Sequence, residues 1–242
     1  METVVVVLMI IVILLLLLKS GDAFASPGFD QDIDAYLINL ERRPERLENF
    51  KKSYYASELS NNKLIIIKAV DGANLGEIEG YMTEGTQRII TTGKRRDSDE
   101  LTPGMLGCYL SHYKLYDEFL ASGKQYAYVF EDDGKVLPEF KNKFKNAPAD
   151  WDILMTGVQS CMECPEVNQD FTRAESFYGT GGYIISRAGA EKMKRFREPT
   201  ITLQIDGFMG KLCKERKVNI YSLKKNLVDT VYMPSDVQMG VS

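Results

Sequence analysis

Six short apolar runs punctuate this chain: "AYLINL" (35–40), "KLIIIKAV" (63–70), "YAYVF" (126–130), "WDILMTG" (151–157), "YIIS" (183–186) and "VNIYSL" (218–223). They are rich in β-branched and aromatic residues and too short for buried helices, so each reads as a strand. A strand with one wet face alternates apolar and polar residues. These are apolar nearly throughout, as strands covered on both faces are. Between them lie helical stretches. Pro44 sits where a first helical turn tolerates it, with Leu47, Phe50 and Tyr54 spaced along one face. Thr102 and Pro103 open a helix that turns Leu106, Tyr109, Leu110, Tyr113 and Leu120 inward and stops at Gly123. A short basic helix follows the third run, and residues 187–196 and 205–215 read as two more. This alternation predicts an α/β fold: a largely parallel sheet with helices on both faces.

At 242 residues the chain can bury one sizeable core, and residues 33–242 are read as a single domain. Residues 26–32, "SPGFDQD", form a linker. Residues 1–25 are set apart, because Val4 to Leu18 is a run of 15 uncharged apolar residues. That is shorter than the roughly 20 that span a bilayer comfortably. Ala23-Phe24-Ala25 matches a small-x-small cleavage site. No basic residue precedes the run, and Lys19 follows it, so the positive-inside signal is weak or reversed. The reading adopted is an uncleaved anchor through residues 4–18, placing the protein on a membrane of the secretory pathway. Removal of 1–25 is the alternative and would give a secreted product.

The formal net charge of −4 argues against a nucleic-acid surface. The basic stretch in "TTGKRRDSDE" (91–100) has no apolar period and reads as a solvated loop. Four cysteines suit an oxidising lumen without requiring one. Cys161 and Cys164 form a C-x-x-C pair, and Cys108 lies one helical turn from His112, the only histidine, so a Cys3His zinc site can be drawn. The preferred reading is a short loop disulfide or free thiols at 161 and 164, with Cys108 and Cys213 as small hydrophobes.

Glu131, Asp132 and Asp133 raise a sharper question, because three adjacent carboxylates end a buried strand. Like charges this close repel unless a cation lies among them. A hard divalent ion such as Mn²⁺ or Mg²⁺ takes one or two protein carboxylates and fills its remaining places with phosphate and water. The competing reading is a solvated acidic turn. In an open α/β sheet, ligands bind beyond the carboxyl ends of the strands. Asn39, Asp71 and the acids at 131–133 all lie just past strand ends, and one rim should gather them.

Six stretches occur in order: "YLINLERRPERLENF" (36–50), "AVDG" (69–72), "LTPGMLGCYLSH" (101–112), "YVFEDD" (128–133), "GTGGYIISRAGAEKM" (179–193) and "IDGFM" (205–209). Together they resemble glycosyltransferase family 25, the lipooligosaccharide and procollagen galactosyltransferase type, over roughly residues 33 to 210. The resemblance implies a GT-A-like nucleotide-sugar fold and an inverting, metal-assisted transfer of a hexose from a UDP-sugar to a glycan or glycoprotein acceptor. It implies that Glu131, Asp132 and Asp133 hold the metal. Arg42, Arg43 and Arg46 are candidates for the diphosphate, since guanidinium suits planar anions. Asn39, Asp71, Gly72, Ser111, His112, Gly181 and Gly182 are carried over as substrate contacts. Asp206 is the candidate general base, with a helix-terminal cap as its competing role.

Two positions depart from the family pattern. Met105 stands where a glutamate is usual, and Gly134 follows the acids where an apolar residue is usual. They motivate a rival reading, an inactive GT-A-like binding or scaffold protein. A phosphoryl-transfer enzyme is a weaker rival, because no P-loop precedes the acids.

Overall fold

The computed structural model describes residues 33–97, 100–231 and 236. The anchor and linker read at 1–25 and 26–32 lie outside these residues. Among the described residues, no helix is long and apolar enough to cross a membrane.

The chain runs β1 (Asp34–Asn39), α1 (Pro44–Tyr55), β2 (Leu64–Lys68), α2 (Leu75–Ile78), α3 (Glu84–Thr92), α4 (Pro103–Ala121), β3 (Tyr126–Glu131) and β4 (Gly134–Val136). It continues with β5 (Ile153–Gly157), β6 (Ser160–Glu163), β7 (Phe171–Arg173), β8 (Ser176–Tyr178) and β9 (Gly182–Ser186). Helices α5 (Arg187–Arg195) and α6 (Ile205–Lys214) then precede β10 (Ile220–Leu223) and β11 (Val228–Thr230).

Seven strands form the main sheet in the order β2-β1-β3-β9-β5-β10-β7. Strands β2, β1, β3, β5 and β10 run one way; β9 runs against β3 and β5, and β7 against β10. The sheet is therefore largely parallel, as the continuous apolar runs predict. A continuous run does not encode direction, which is why "YIIS" does not betray its antiparallel place.

The central strands β1, β3, β9 and β5 bury both faces, whereas the edge strand β2 leaves Ile66 exposed. On β1, Tyr36 and Ile38 join one core with Val129 of β3 and Tyr109, Tyr113, Tyr116 and Phe119 of α4. Ala35 and Leu37 face the other way, onto a second core with Tyr128, Phe130, Phe50, Tyr54, Phe140 and Trp151. Fully burying a side chain of this size contributes about 1.5–3 kcal/mol, so these two layers fix the sheet between its helices. The basic segment after β3 is a single 3-10 turn, Lys141–Lys143, rather than a helix.

Two glycines set how closely β2 approaches α4. A Cβ on Gly107 would sit 2.6 Å from the Val70 carbonyl, and one on Gly72 would collide with the Pro103 carbonyl. The turn after β2 therefore rests directly on the first turns of α4. That contact brings Asp71 to the same rim as the end of β3.

Candidate active site

The strand ends, the N-terminal part of α4 and Asp236 enclose a cavity of about 410 Å³. Its wall includes Arg42, Arg46, Asp71, Gly72, Cys108, Ser111, Glu131, Asp132, Asp133 and Asp236. Parallel pairing sets Ile38 of β1 against Glu131 of β3, so the next residues of both strands emerge side by side. Asn39 and the acids meet there as a consequence of register.

The three acids have three different surroundings. Asp132 is buried at 7% exposure. Its Oδ2 accepts from Asn39 Nδ2 at 2.7 Å, and its Oδ1 from Arg46 Nη1 at 3.2 Å. Burial still leaves the Asp132 carboxyl above its ordinary range, against the pull of these donors. Glu131 accepts from His112 Nε2 at 3.1 Å and from the Thr180 hydroxyl. Burial pushes its carboxyl up, but the His112 and Thr180 donors bring it below the ordinary glutamate value. Asp133 is half-buried and has no side-chain donor among the described residues. Burial, then the charges of Glu131 and Asp132, push it up to about 7. A carboxyl so placed, lining a cavity together with two other acids, is the position a hard cation fits.

His112 is fully buried and does not line the cavity. Its Nδ1 lies 2.7 Å from the Tyr183 hydroxyl, which lies 3.0 Å from the Tyr116 hydroxyl. The tautomer with its proton on Nε2 satisfies the whole chain: Tyr116 donates to Tyr183, Tyr183 to Nδ1, and Nε2–H to Glu131. His112 thus braces an acid from behind the cavity wall. Cys108, His112 and Glu131 bring their ligand atoms within 4.8 Å of one another, yet both imidazole nitrogens are already engaged. The Cys3His zinc set does not form, because Cys161 and Cys164 are joined in a disulfide and Cys213 is buried with its thiol donating to the Ile220 carbonyl.

The other expected contacts divide the same way. Asp71 takes Arg42 Nε at 2.7 Å at the cavity wall. Ser111 lines the cavity, but its hydroxyl accepts from Val70 N at 2.8 Å and donates to the Gly107 carbonyl at 2.7 Å. Asn39 is 5% exposed and is spent on Asp132 and the Arg43 carbonyl. Arg43 lies outside the cavity wall and holds Asp236. Gly182 packs against Val228 and Thr156, leaving no room for a Cβ, and the Gly181 carbonyl accepts from Glu131 N at 3.3 Å. Asp206 is also off the wall: Oδ2 accepts from Gly179 N at 2.9 Å and Oδ1 from Gly207 N at 2.7 Å. Those bonds tie the Gly179–Gly182 loop to the start of α6, the anchoring role that competes with general-base chemistry. Gly134, the second departure from the family pattern, opens β4, where a Cβ would lie 3.0 Å from Val228 and 3.1 Å from the Glu131 carbonyl. The glycine fits that tight turn.

Asp236, Thr180 and Tyr183 escape the sequence reading. No motif marks Asp236 in "VYMPSDVQMGVS", and it reaches Arg42 and Arg43 from 194 and 193 residues away.

Met105, the first departure, is 3% exposed in the first turn of α4. The Thr102 hydroxyl accepts from Met105 N at 3.1 Å, and Met105 Sδ lies 3.4 Å from Thr102 N, where a capping-box glutamate would place its carboxylate. The methionine therefore fills a cap and not a ligand position. Met105→Glu should change stability by about 1 kcal/mol or less and leave any turnover within a few-fold. A gain of two orders of magnitude in rate would place chemistry at this position instead.

The fold and cavity define an α/β protein whose parallel strands deliver acids and arginines to one rim. The family model for Glycosyltransferase family 25 (LPS biosynthesis protein) matches residues 32–209, and the chain belongs to this family. It is 30% identical over 208 residues to procollagen galactosyltransferase 1 of Danio rerio, covering 80% of this chain and 33% of that protein. It is 28% identical to procollagen galactosyltransferase 2 of Homo sapiens, covering 80% and 32%. It is also 28% identical to a probable inactive glycosyltransferase 25 family member 3 of Bos taurus, covering 75% and 31%. The chain thus spans about a third of the length of these relatives.

Proposed function

We propose that this chain transfers a hexose, galactose or glucose, from a UDP-sugar to a glycan or protein acceptor with inversion, and that a divalent cation assists. Asp133 is the observation that carries the reading: a half-buried carboxyl without a side-chain donor among the described residues, pushed up to about 7, at a cavity that also holds arginines. Mn²⁺ or Mg²⁺ would be held by Asp133 with Glu131 beside it, and would supply Lewis-acid neutralisation of the leaving diphosphate. Asp132 serves differently, fixing Arg46 and Asn39 at the strand ends. Arg42 and Arg46 meet the diphosphate, and Asp71 holds Arg42 in place for it. His112 and Thr180 hold Glu131 ionised and aimed. Asp206 is assigned to holding the Gly179–Gly182 loop rather than to proton transfer.

Family membership supports the reaction class, and the procollagen galactosyltransferase relatives support galactose. The disulfide between Cys161 and Cys164 suits an oxidising lumen, with residues 4–18 as tether. The inactive relatives make a folded, non-transferring protein the second reading, but Met105, the sequence feature that favoured it, fills a cap. Incubation of the full chain with a panel of UDP-sugars and Mn²⁺, with released UDP as readout, decides between them. UDP release with the galactose or glucose donor is expected. A folded chain that releases UDP from no donor sinks the transferase reading.

A further inference from the structure

Three guanidinium groups converge on one carboxylate that the chain itself supplies. Arg43 holds Asp236 through two parallel bonds, Nη2 to Oδ1 at 2.7 Å and Nε to Oδ2 at 2.8 Å. Arg42 Nη1 reaches Oδ1 at 2.7 Å, and Arg46 Nη2 lies 3.2 Å from Oδ2. The Asp236 side chain is 10% exposed and lines the same cavity as Asp133. Asp71 engages Arg42 and Asp132 engages Arg46 from the sides, so Asp236 neutralises the charge those two acids leave over. Burial would raise this carboxyl, yet Arg43 and Arg42 hold it at about 2. It is ionised at any physiological pH.

A carboxylate seated bidentately on arginine presents the same planar anion chemistry as a phosphate. The same N–H donors cannot serve both. We propose that Asp236, seated on Arg43, is a tethered competitor for the diphosphate place at Arg42 and Arg46. It occupies the cradle while the nucleotide is away, yields it to the incoming diphosphate, and returns as UDP leaves. The inference rests on the nucleotide-sugar reading of the cavity and adds a built-in control on how tightly product is held, and product release limits many enzymes. The apparent affinity of a site equals its intrinsic affinity scaled by the fraction of time the site is open. A carboxylate seated about nine-tenths of the time hides the cradle roughly tenfold.

The test titrates the full chain by calorimetry with inorganic pyrophosphate and, separately, with UDP and Mn²⁺. Parent, Asp236→Asn and Asp236→Glu are compared after thermal melts confirm folding. Asp236→Asn should bind pyrophosphate about tenfold more tightly, while Asp236→Glu, which keeps the charge, should stay near the parent. Pyrophosphate affinity in Asp236→Asn that is unchanged, lower or undetectable overturns the proposal and makes Asp236 a brace for the arginines. An equal gain in Asp236→Glu overturns it too. Tighter pyrophosphate binding without any UDP binding keeps the competitor and removes the nucleotide-sugar reading. UDP binding by the parent without tightening in Asp236→Asn does the reverse.

Discussion

Arg46→Met should lower folding stability by about 3–5 kcal/mol at neutral pH, the range found when one partner of a buried ion pair is removed. Arg46 and Asp132 each keep only 9% of their side-chain exposure, and Arg46 also reaches Asp236. Methionine preserves length and apolar stem but leaves Asp132 relying on the Asn39 amide at 2.7 Å. Burial already holds the Asp132 carboxyl above its ordinary value, and losing Arg46 raises it further. An acid whose folded pKa is raised binds more protons folded than unfolded. Its contribution to stability therefore falls as pH rises through the window above the ordinary aspartate value of about 4. The deficit of Arg46→Met should accordingly be largest at pH 7 and shrink toward pH 4. Asp132→Asn, which removes the charge with the shape, should cost less than Arg46→Met at pH 7. Denaturant unfolding at the two pH values measures both effects. A loss under 1 kcal/mol at pH 7 would show that the pair is not a structural centre of the rim.

Much of this rim is legible in the sequence because it follows from strand register. Once "AYLINL" and "YAYVF" are parallel neighbours, Asn39 and the acids must emerge together, and Asn39 does bond Asp132. The division of labour among Glu131, Asp132 and Asp133 is not legible. It depends on Arg46, His112 and Thr180, which come from three separate elements, and adjacent acids look alike until those partners arrive. Strands β4, β6, β7, β8 and β11, with three or four residues each, are too short for any period to register. Helix α3, "EGTQRIITT", buries only Thr86 and Ile89, so its pattern is weak beside the polar stretch that follows. Asp236 stands in a tail that carries no motif, and only the fold shows the arginines it meets.

Asp133→Asn should reduce metal-supported turnover by at least ~10²-fold, the scale of losing one preorganised electrostatic contact to a developing charge. Folding should survive. A carboxyl raised to about 7 by burial and like charges contributes less stability as pH climbs from about 4 through 7, so the amide should be as stable as the parent at pH 8 or more so. The same shift governs the cation, since a protonated carboxyl is not a ligand. Metal affinity should therefore weaken as pH falls below about 7. Calorimetric titration of UDP into parent and Asp133→Asn, with and without Mn²⁺ at pH 8, tests the central claim most directly. Mn²⁺ should tighten UDP binding by ~10-fold or more in the parent, the low end of what disturbing the groups that orient a metal's ligands does to metal affinity, and leave Asp133→Asn unmoved. UDP binding indifferent to Mn²⁺ in the parent, or strengthened equally in both proteins, would contradict the account.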